Sequence, residues 1–357
     1  MKNYALYFMP DISGFTNFVT HTEIEHSKHI ISELLELLID ANTIDLKLVE
    51  IEGDALFMFT ETMPSFNDLI EQSTDMLDAF STHLDLYNTN RICNCGACIS
   101  AHDLKVKFII HYGEISYIRV KDIVKPYGGD VIKIHRFLKN SIPSNQYLLI
   151  SKETIDFYDE SILEFGFEEK ADLYDFGTSH YYFKTLQSKK NNVERTIVKP
   201  GFSPQINEQI IISKDVHLVY QFISDFSVRT SWYKLVDRLD YDAFRLNRVG
   251  TTHKCISGSD IFKVETLGDS QNNTQLIYGE RTTDIGERTT DIENLKRYTY
   301  YLTAIPIDNN STQLDIEVFL EFEELPDIKK QEVLQHIKKG WHESIFHLAK
   351  ETLNLTN

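Results

Sequence analysis

The sequence YALYFMPDISGFT, residues 4–16, sets the architecture of the first half of the chain. Its apolar run from Tyr4 to Met9 has the length and the aromatic content of a buried strand. We expect that strand to stop at Pro10, which cannot donate to a central ladder. Asp11 then stands at the strand end, ahead of a small-residue loop that leads into a helix. Such a loop offers backbone N–H groups to phosphate oxygens, and the carboxylate can bind a divalent metal.

A second carboxylate occurs in LVEIEGDALFMFT, residues 48–60. Two apolar runs flank Glu52, Gly53 and Asp54, which predicts a tight hairpin with Asp54 at its tip. Two aspartates at strand ends are what a two-metal phosphoryl-transfer site needs, since each can bridge both ions. The alternative is that both acids are ordinary turn residues.

Together these segments resemble the class III nucleotide cyclases, whose metal motifs have the forms FxDIxGFT and a hydrophobic strand followed by GDA. The resemblance implies that Asp11 and Asp54 bind two Mg²⁺ or Mn²⁺ ions and that the substrate is a nucleoside triphosphate. It also implies that backbone N–H groups cradle the phosphates, the residues being Ile12, Ser13, Gly14, Phe15 and Thr16.

Two later segments extend the resemblance. The run from Val106 to Glu114 is similar to the family's RIGIHTGE strand and turn, and residues 127–136 resemble its GxxVNxAxR element, which begins a helix at the dimer interface. The resemblance implies that Arg136 stabilises the transition state. It also implies a homodimer, in which Arg136 of one chain meets Asp11 and Asp54 of the other.

The chain departs from the family at two catalytic positions. Ile132 stands where the family has Asn, and Tyr174 stands where it has a catalytic Lys, with Lys170 four residues away. These differences leave turnover open, and Arg136 is equally compatible with a surface helix arginine.

Glu50 and Lys125 occupy the positions that read the base in the family. A carboxylate accepts hydrogen bonds but cannot donate to adenine's ring nitrogen, so Glu50 favours guanine. Glu50 is equally compatible with a solvent-facing strand residue, and Lys125 matches neither the ATP-using nor the GTP-using members. The identity of the base therefore stays open.

The segment RICNCGACISAH, residues 91–102, concentrates soft metal ligands. Three thiols and an imidazole within ten residues could hold a structural Zn²⁺. Their spacing is not a standard finger pattern, and reduced loop thiols or a redox-sensitive cluster are equally compatible with it. The residues concerned are Cys93, Cys95, Cys98 and His102.

The second half of the chain has a different pattern of predicted elements. A polar linker over residues 187–205 precedes a strand, a short helix, a run of strands and a helix from Asp327 to about Leu353. This order resembles the START-like helix-grip (SRPBCC) fold, which implies an apolar cavity for a small hydrophobic ligand. The aromatic and imidazole candidates for its lining are His253, Tyr298, Tyr300 and Trp341. The tandem GERTTDIGERTTDI, residues 279–292, is predicted to lengthen one hairpin.

Bulk composition restricts the partners. The 357 residues carry a net charge of -18, which disfavours long-range attraction to nucleic acid or an anionic membrane. Neither a secretory signal nor an apolar run of about 20 residues is present, so we expect no membrane span and a cytoplasmic location.

We therefore predict an α+β protein. Residues 1–186 form a ferredoxin-like nucleotide-cyclase domain, and residues 206–357 form a helix-grip ligand-binding domain after the linker 187–205. The predicted reaction converts a nucleoside triphosphate, with GTP slightly favoured, to a 3′,5′-cyclic nucleotide and pyrophosphate. One alternative is a cyclase-fold module that binds a nucleotide without turnover. Another is a START-like lipid carrier whose first half serves dimerisation.

Overall fold

A computed structural model describes residues 2–89, 91, 95–158, 165–188, 197–269, 274–285, 295–323 and 326–354. The chain divides into two compact units, one comprising 1–87 and 99–192 and the other comprising 88–98 and 193–357. Residues 88–98 thus group with the second unit, although the sequence places them in the first domain. Within the second unit Arg91 forms an isolated antiparallel bridge with Arg248. Both units combine helices and strands, which confirms the α+β class.

The first unit contains an eight-stranded sheet with the order β2-β3-β1-β4-β6-β8-β7, and β5 pairs with β4. Its described strands are β1 (Asn3–Ser13), β2 (Lys47–Glu52), β3 (Ala55–Thr60), β4 (Lys105–Val120), β5 (Ile123–Tyr127), β6 (Tyr147–Ser151), β7 (Glu168–Tyr174) and β8 (Gly177–Thr185). The helices of this half are α1 (Phe15–His21), α2 (Ile24–Asp40), α3 (Phe66–Thr89), α4 (Gly96–Ser100), α5 (Gly129–Phe137) and α6 (Lys152–Tyr158), with a 3₁₀ turn at Ala101–Asp103. The pair β4–β6 is parallel, and the other described pairs are antiparallel.

The first strand runs through Pro10, contrary to the prediction that it stops there. Pairing with β4 continues across Pro10, which lies opposite Phe108. Pairing with β3 is interrupted between Phe8 and Asp11, so the missing N–H of Pro10 breaks no bond on that side. Asp11 therefore lies inside a central strand, where its backbone is paired with β3 on one side and with β4 on the other.

Periodic apolar positions correctly predict the long helices of this unit. Apolar residues at helical spacing over residues 23–39 and 66–84 predict two amphipathic helices, and the structure has α2 and α3 there. In β1 every residue from Ala5 to Ile12 is buried, which explains its uninterrupted apolar run. On one face of β1, Tyr7 and Met9 belong to the same core cluster as Ile134 and Phe137 of α5. The buried members of the two helical stripes include Ile30, Leu34 and Leu38 in α2 and Leu69, Met76 and Phe80 in α3.

The second unit contains a seven-stranded antiparallel sheet with the order β10-β11-β12-β13-β14-β15-β9. Its described strands are β9 (Ile206–Ile212), β10 (Arg238–Asp240), β11 (Thr252–Ser257), β12 (Asp260–Asp269), β13 (Leu276–Ile285), β14 (Leu295–Asp308) and β15 (Ser311–Phe322). Its helices are α7 (Val216–Ser224), α8 (Arg229–Trp232) and α9 (Asp327–Leu353). In the described part of the chain no helix is apolar over a length that could cross a bilayer.

The sequence predicts a strand over residues 242–256, but the observed strand, β11, begins only at Thr252. Residues 242–251 form turns instead, because local side chains bond their backbone: Asp242 accepts from the Phe244 N–H (2.9 Å), and Thr251 accepts from the Arg248 N–H (3.0 Å). Such side-chain bonds compete with strand pairing.

The long C-terminal helix packs on the sheet of the second unit. Ile337, Trp341 and Leu348 of α9 share one core cluster with sheet residues that include Tyr300 and Ile316. This confirms the predicted apolar stripe, while membership of the START-like superfamily stays a prediction. Residues 279–285 of the tandem repeat lie in β13, and its remainder lies outside the described residues.

Candidate active site

The two aspartates singled out by the sequence come together at one end of β1 and β3. Asp11 lies opposite Ala55 in the strand register, so Asp54, one residue earlier, lies opposite Ile12, the residue next to Asp11. A backbone bond from the Ile12 N–H to the Asp54 carbonyl (3.0 Å) fixes this arrangement. Gly53 has φ +67°, the left-handed conformation that lets the chain turn tightly before Asp54. The fold therefore brings the two acids close enough for the charge of Asp11 to act on Asp54.

Charge and burial act differently on the two acids. Burial, followed by the charge of Asp11, raises the pKa of Asp54 from 3.8 to about 6. Asp11 itself is buried and forms an ion pair with Lys107, whose Nζ lies 2.8 Å from Asp11 Oδ2. Lys107 is the cross-strand partner of Asp11 on β4, and its charge also lowers the pKa of Asp54. The site is thus an acidic pair with one ammonium group beside it.

The loop after Asp11 has polar groups that the protein leaves open. Gly14 adopts φ +92° and precedes α1, and no side chain caps the first turn of that helix. Ser13 Oγ is buried and has no hydrogen-bond partner among the described residues. Of the five N–H groups predicted to hold phosphates, that of Ile12 is already bonded to Asp54. The predicted cradle is therefore restricted to residues 13–16.

These features fit a divalent cation. Neighbouring carboxylates are ligands that Mg²⁺ and Mn²⁺ prefer. Burial first, and the charge of Asp11 second, raise the pKa of Asp54, and a cation would offset both effects. The ammonium group of Lys107 already neutralises part of the negative charge of the two carboxylates. A bound ion would have to share Asp11 with Lys107 or displace its ammonium group.

The two predicted base-reading residues contact each other. Lys125 Nζ donates to Glu50 Oε2, and both side chains remain about two-fifths exposed. They come from β5 and β2, which are not neighbours in the sheet. The structure thus presents a hydrogen-bond acceptor and a donor as one unit, an arrangement that neither motif predicts alone.

Arg136 lies elsewhere in the same chain. It forms an exposed ion pair with Asp175, with 3.0 Å between Arg136 Nη2 and Asp175 Oδ2. Asp175 follows β7 at the edge of the sheet, on the opposite side of β1 from β3. Lys170, the nearest lysine to the family's catalytic position, donates to the Ser141 carbonyl (2.6 Å). One chain therefore pairs neither Arg136 nor Lys170 with the two aspartates.

His111, Ser151 and Asp130 form a buried hydrogen-bond network at the start of α5 that no sequence motif predicted. His111 Nδ1 lies 2.7 Å from Ser151 Oγ, and His111 Nε2 lies 3.0 Å from Asp130 Oδ1. His111 and Ser151 are fully buried. Asp130 also accepts from the Glu114 N–H (2.8 Å) and lies over Gly113, where an added Cβ would come within 2.3 Å of its Cγ. The network fixes the start of α5 against β4. In the sequence, the signal for it was limited to the segments HYGE, residues 111–114, and GGD, residues 128–130.

The cysteine cluster is described only in part. The Cys98 N–H points to Cys95 Sγ at 3.5 Å. His102 Nδ1 lies 2.6 Å from the Ile99 carbonyl, and its Nε2 lies 3.3 Å from Asp103. Cys93 lies outside the described residues, so the four-ligand zinc site stays a prediction.

The second unit contains a cavity of about 70 Å³ between α9 and the sheet, lined on one side by apolar residues and on the other by tyrosines. Tyr298 and Tyr300 line it, as predicted. Trp341 supports the lining, because its Nε1 donates to the Tyr298 hydroxyl (2.8 Å). His253 lies behind the wall, with its Nε2 3.6 Å from Glu280 Oε1.

A buried ion pair forms the polar end of this cavity. Arg229 Nη1 lies 2.6 Å from Glu280 Oε1, and both side chains are buried. Burial acts to raise the pKa of Glu280, but the charge of Arg229, together with contributions from His253 and Tyr278, outweighs it and holds that pKa well below its usual value. His253, Cys255 and Glu280 also offer atoms within 4.8 Å of one another, a set that could bind a transition metal. The guanidinium charge on Glu280 opposes a cation there.

Residues 31–147 match the family described as "Protein of unknown function (DUF2652)". An "Uncharacterized protein Rv2561/Rv2562" of Mycobacterium tuberculosis is 31% identical over 158 residues, which are 44% of this chain and 74% of that protein. Solved structures similar to the chain include the guanylate cyclase domain of RhGC from Catenaria anguillulae in complex with GTP (16% identity, 52% of this chain, 98% of that chain, TM-score 0.38). The adenylyl cyclase CyaB from P. aeruginosa is also similar (14% identity, 53% of this chain, 97% of that chain, TM-score 0.34).

Proposed function

This chain belongs to the protein family DUF2652, and we propose that its first unit is a metal-dependent nucleotide cyclase. The proposed reaction converts a nucleoside triphosphate to a 3′,5′-cyclic monophosphate and pyrophosphate. The observation that supports it most is the proximity of Asp11 and Asp54, two acids from separate motifs that the β1–β3 pairing brings to the same end of these strands. A raised pKa at one member of such a pair is typical of functional sites.

Each residue of the site has a proposed role. Asp11 and Asp54 would hold two Mg²⁺ or Mn²⁺ ions, which would activate the ribose 3′-hydroxyl and neutralise the leaving pyrophosphate. The backbone N–H groups from Ser13 to Thr16 would be directed to the phosphates, and Ser13 Oγ, which has no partner among the described residues, would add a donor there. Lys107 keeps the acidic pair compatible with the fold until cations bind.

Glu50 and Lys125 together read the base. Guanine offers two donors, N1–H and the amino group, to Glu50, and its O6 accepts from Lys125. Adenine offers its amino group to Glu50 and N1 to Lys125, which is one hydrogen bond fewer. We therefore propose GTP as the preferred substrate, with ATP as a weaker one.

The proposed active form is a homodimer. Arg136 is exposed and held by Asp175 in its own chain, so a second copy would have to bring it to the acidic pair. The hairpin β4–β5 offers apolar surface for such a copy: Ile123, Val124 and Tyr127 are 61%, 47% and 59% exposed. Exposed apolar side chains grouped on one hairpin are typical of an interaction surface.

The test is pyrophosphate release from each of the four nucleoside triphosphates with Mn²⁺ or Mg²⁺. We expect release with GTP, and loss of at least about 100-fold in Asp54→Asn, because an amide is a far weaker ligand for the cation. Asp45→Asn is the matched control, since Asp45 is exposed and its φ of 53° suits asparagine. Equal activity in both variants would contradict the proposal.

A second candidate is nucleotide binding without turnover. Tyr174 supports it, because this residue replaces the family's lysine and its hydroxyl is buried without a partner among the described residues. Nucleotide binding that depends on Asp54, with no pyrophosphate released, would identify this function.

For the second unit we propose binding of a small, largely apolar molecule, which could regulate the first. The cavity beneath α9 supports this, since it combines apolar walls with a few buried polar groups, the usual character of ligand sites.

A further inference from the structure

Given a small-molecule site in the second unit, as proposed above, the hydroxyl groups of its wall define the ligand. At the polar end, Tyr278 is fully used: its hydroxyl accepts from Arg229 Nη2 (2.6 Å) and donates to Glu280 Oε1 (2.5 Å). Arg229 and Glu280 cancel each other's charge. The end of the cavity is therefore rigid and has no net charge.

Tyr300 has a hydrogen to spare. Its hydroxyl accepts a bond from Arg229 Nη1 (2.6 Å), and a guanidinium can only donate. The Tyr300 O–H hydrogen must therefore be donated to some other group. Within the described ranges no residue accepts it, and Tyr300 is only 1% exposed.

The pair formed by Tyr233 and Tyr298 has a second hydroxyl hydrogen without an acceptor among the described residues. Their hydroxyl oxygens are 2.8 Å apart, so one of the two hydrogens lies in that bond. The Tyr298 oxygen also accepts from Trp341 Nε1 (2.8 Å). The indole N–H only donates, so Trp341 cannot accept a hydroxyl hydrogen from either tyrosine. Whichever tyrosine donates to the other, one O–H of this pair lacks an acceptor in the described part of the protein.

Both spare donors belong to residues that line the same cavity. A buried donor without an acceptor is destabilising, so an occupant that accepts from both is favoured over an apolar one. The remaining walls are apolar and include Val236, Phe262, Leu295 and Ile337. The volume of about 70 Å³ compares with about 10–15 Å³ needed for one water, so a compact organic molecule fits.

We infer that the cavity binds a small neutral compound with an apolar body and a carbonyl oxygen, and that this oxygen accepts from Tyr300 and from the Tyr233–Tyr298 pair. A carbonyl oxygen has two lone pairs, which matches two donors. A carboxylate or an ammonium group is disfavoured, because it would be buried where the Arg229–Glu280 pair leaves no net charge to compensate it.

The test uses the full chain and three probes of similar shape: cyclohexanone, methylenecyclohexane and cyclohexanecarboxylate. Binding is followed by calorimetry and by ligand-observed NMR. Cyclohexanone is expected to bind at least about tenfold more tightly than either of the others, because methylenecyclohexane accepts no hydrogen bond and the carboxylate would bury a charge without a counterion. Tyr300→Phe is expected to weaken cyclohexanone about three- to tenfold and to leave methylenecyclohexane unchanged.

Tyr301→Phe is the matched control, because Tyr301 is the next residue on β14 and packs in a separate cluster outside the cavity lining. It should leave all three affinities unchanged. If methylenecyclohexane or the carboxylate binds wild type as tightly as cyclohexanone, the inferred ligand chemistry is wrong while the small-molecule site stands. If no probe binds and ordered waters occupy both donors, the proposed site fails with it.

Discussion

At the scale of single residues, Asp54 is a carboxylate that the fold holds in an unfavourable place. It is half-buried, and burial together with the charge of Asp11 raises its pKa to about 6. Its ionised form therefore destabilises the folded state at neutral pH, where the unfolded chain carries an ordinary aspartate. Acids of this kind are typical of sites that have a cation or a proton to bind.

Asp54→Asn should stabilise the protein without added metal. The folded pKa lies above the unfolded value of 3.8, so the destabilisation is fully present above about pH 6 and disappears as the pH falls toward 4. After allowance for partial exposure we expect a gain in unfolding free energy of about 1 kcal/mol at pH 8. Urea titration at pH 8 and at pH 4 measures it.

Asp11→Asn serves as the matched comparison for this effect. It also removes a charge from the pair, but it leaves the Lys107 ammonium without its 2.8 Å partner, so we expect no gain at pH 8. A gain for Asp54→Asn that is equally large at both pH values would contradict the electrostatic explanation.

Lys107→Gln should strengthen the binding of Mn²⁺ alone. The ammonium group neutralises Asp11 and repels a cation at the same position. We expect affinity to rise about three- to tenfold in calorimetry. Lys105→Gln, which removes a charge from the same strand at a group bonded to the His102 carbonyl, should change it little. Weaker binding in Lys107→Gln would assign this lysine a supporting role instead.

The sequence identified Asp11 and Asp54 because each stands in a recognisable local motif. It did not identify Lys107, because the contact with Asp11 arises only when β1 and β4 pair in one particular register. The same holds for Glu50 and Lys125, whose two strands are brought together by tertiary folding. Local patterns reveal candidates, whereas charge compensation between distant segments requires the fold.

At the scale of elements, one ion pair joins α8 to β13. Arg229→Met should cost about 3–5 kcal/mol of unfolding free energy, because it leaves Glu280 buried and charged without its partner. The double variant Arg229→Met, Glu280→Met should be less destabilised than the sum of the single variants. Urea titration of all three measures this, and additive effects would show that the pair is not coupled.

The hairpin β4–β5 is the element on which association is expected. Ile123→Glu should shift the protein toward the monomer, since a charge would be buried against the second copy. Sedimentation velocity over a concentration series checks this. Ile328→Glu is the control, because Ile328 is 76% exposed and lies on α9. A wild-type protein that is monomeric throughout the series would contradict the expectation.

Element boundaries followed the sequence where apolar periodicity was strong, as in α2, α3 and α9. They departed from it where backbone detail decides. Pro10 was tolerated in a central strand because the ladder to β3 is interrupted there. Residues 242–251 form turns because Asp242 and Thr251 bond neighbouring N–H groups. Such local bonds leave no periodic signal.

At the scale of the whole molecule, the proposed site is completed by a second copy. Asp54→Asn and Arg136→Ala should each be inactive, while a mixture regains activity. Random pairing makes half the dimers mixed, and one of their two sites keeps both groups, so about a quarter of wild-type activity is expected. Pyrophosphate release from the mixture measures it. No recovery, in a mixture shown to exchange subunits, would contradict a site shared between chains.

The central claim is that Asp11 and Asp54 jointly bind divalent cations for a nucleoside triphosphate. Anomalous diffraction from crystals grown with Mn²⁺ and a non-reactive GTP analogue examines it most directly. We expect a Mn²⁺ peak bonded to carboxylate oxygens of both residues, with the phosphates beside residues 13–16. A Mn²⁺ peak elsewhere, with Lys107 still bonded to Asp11, would contradict the claim.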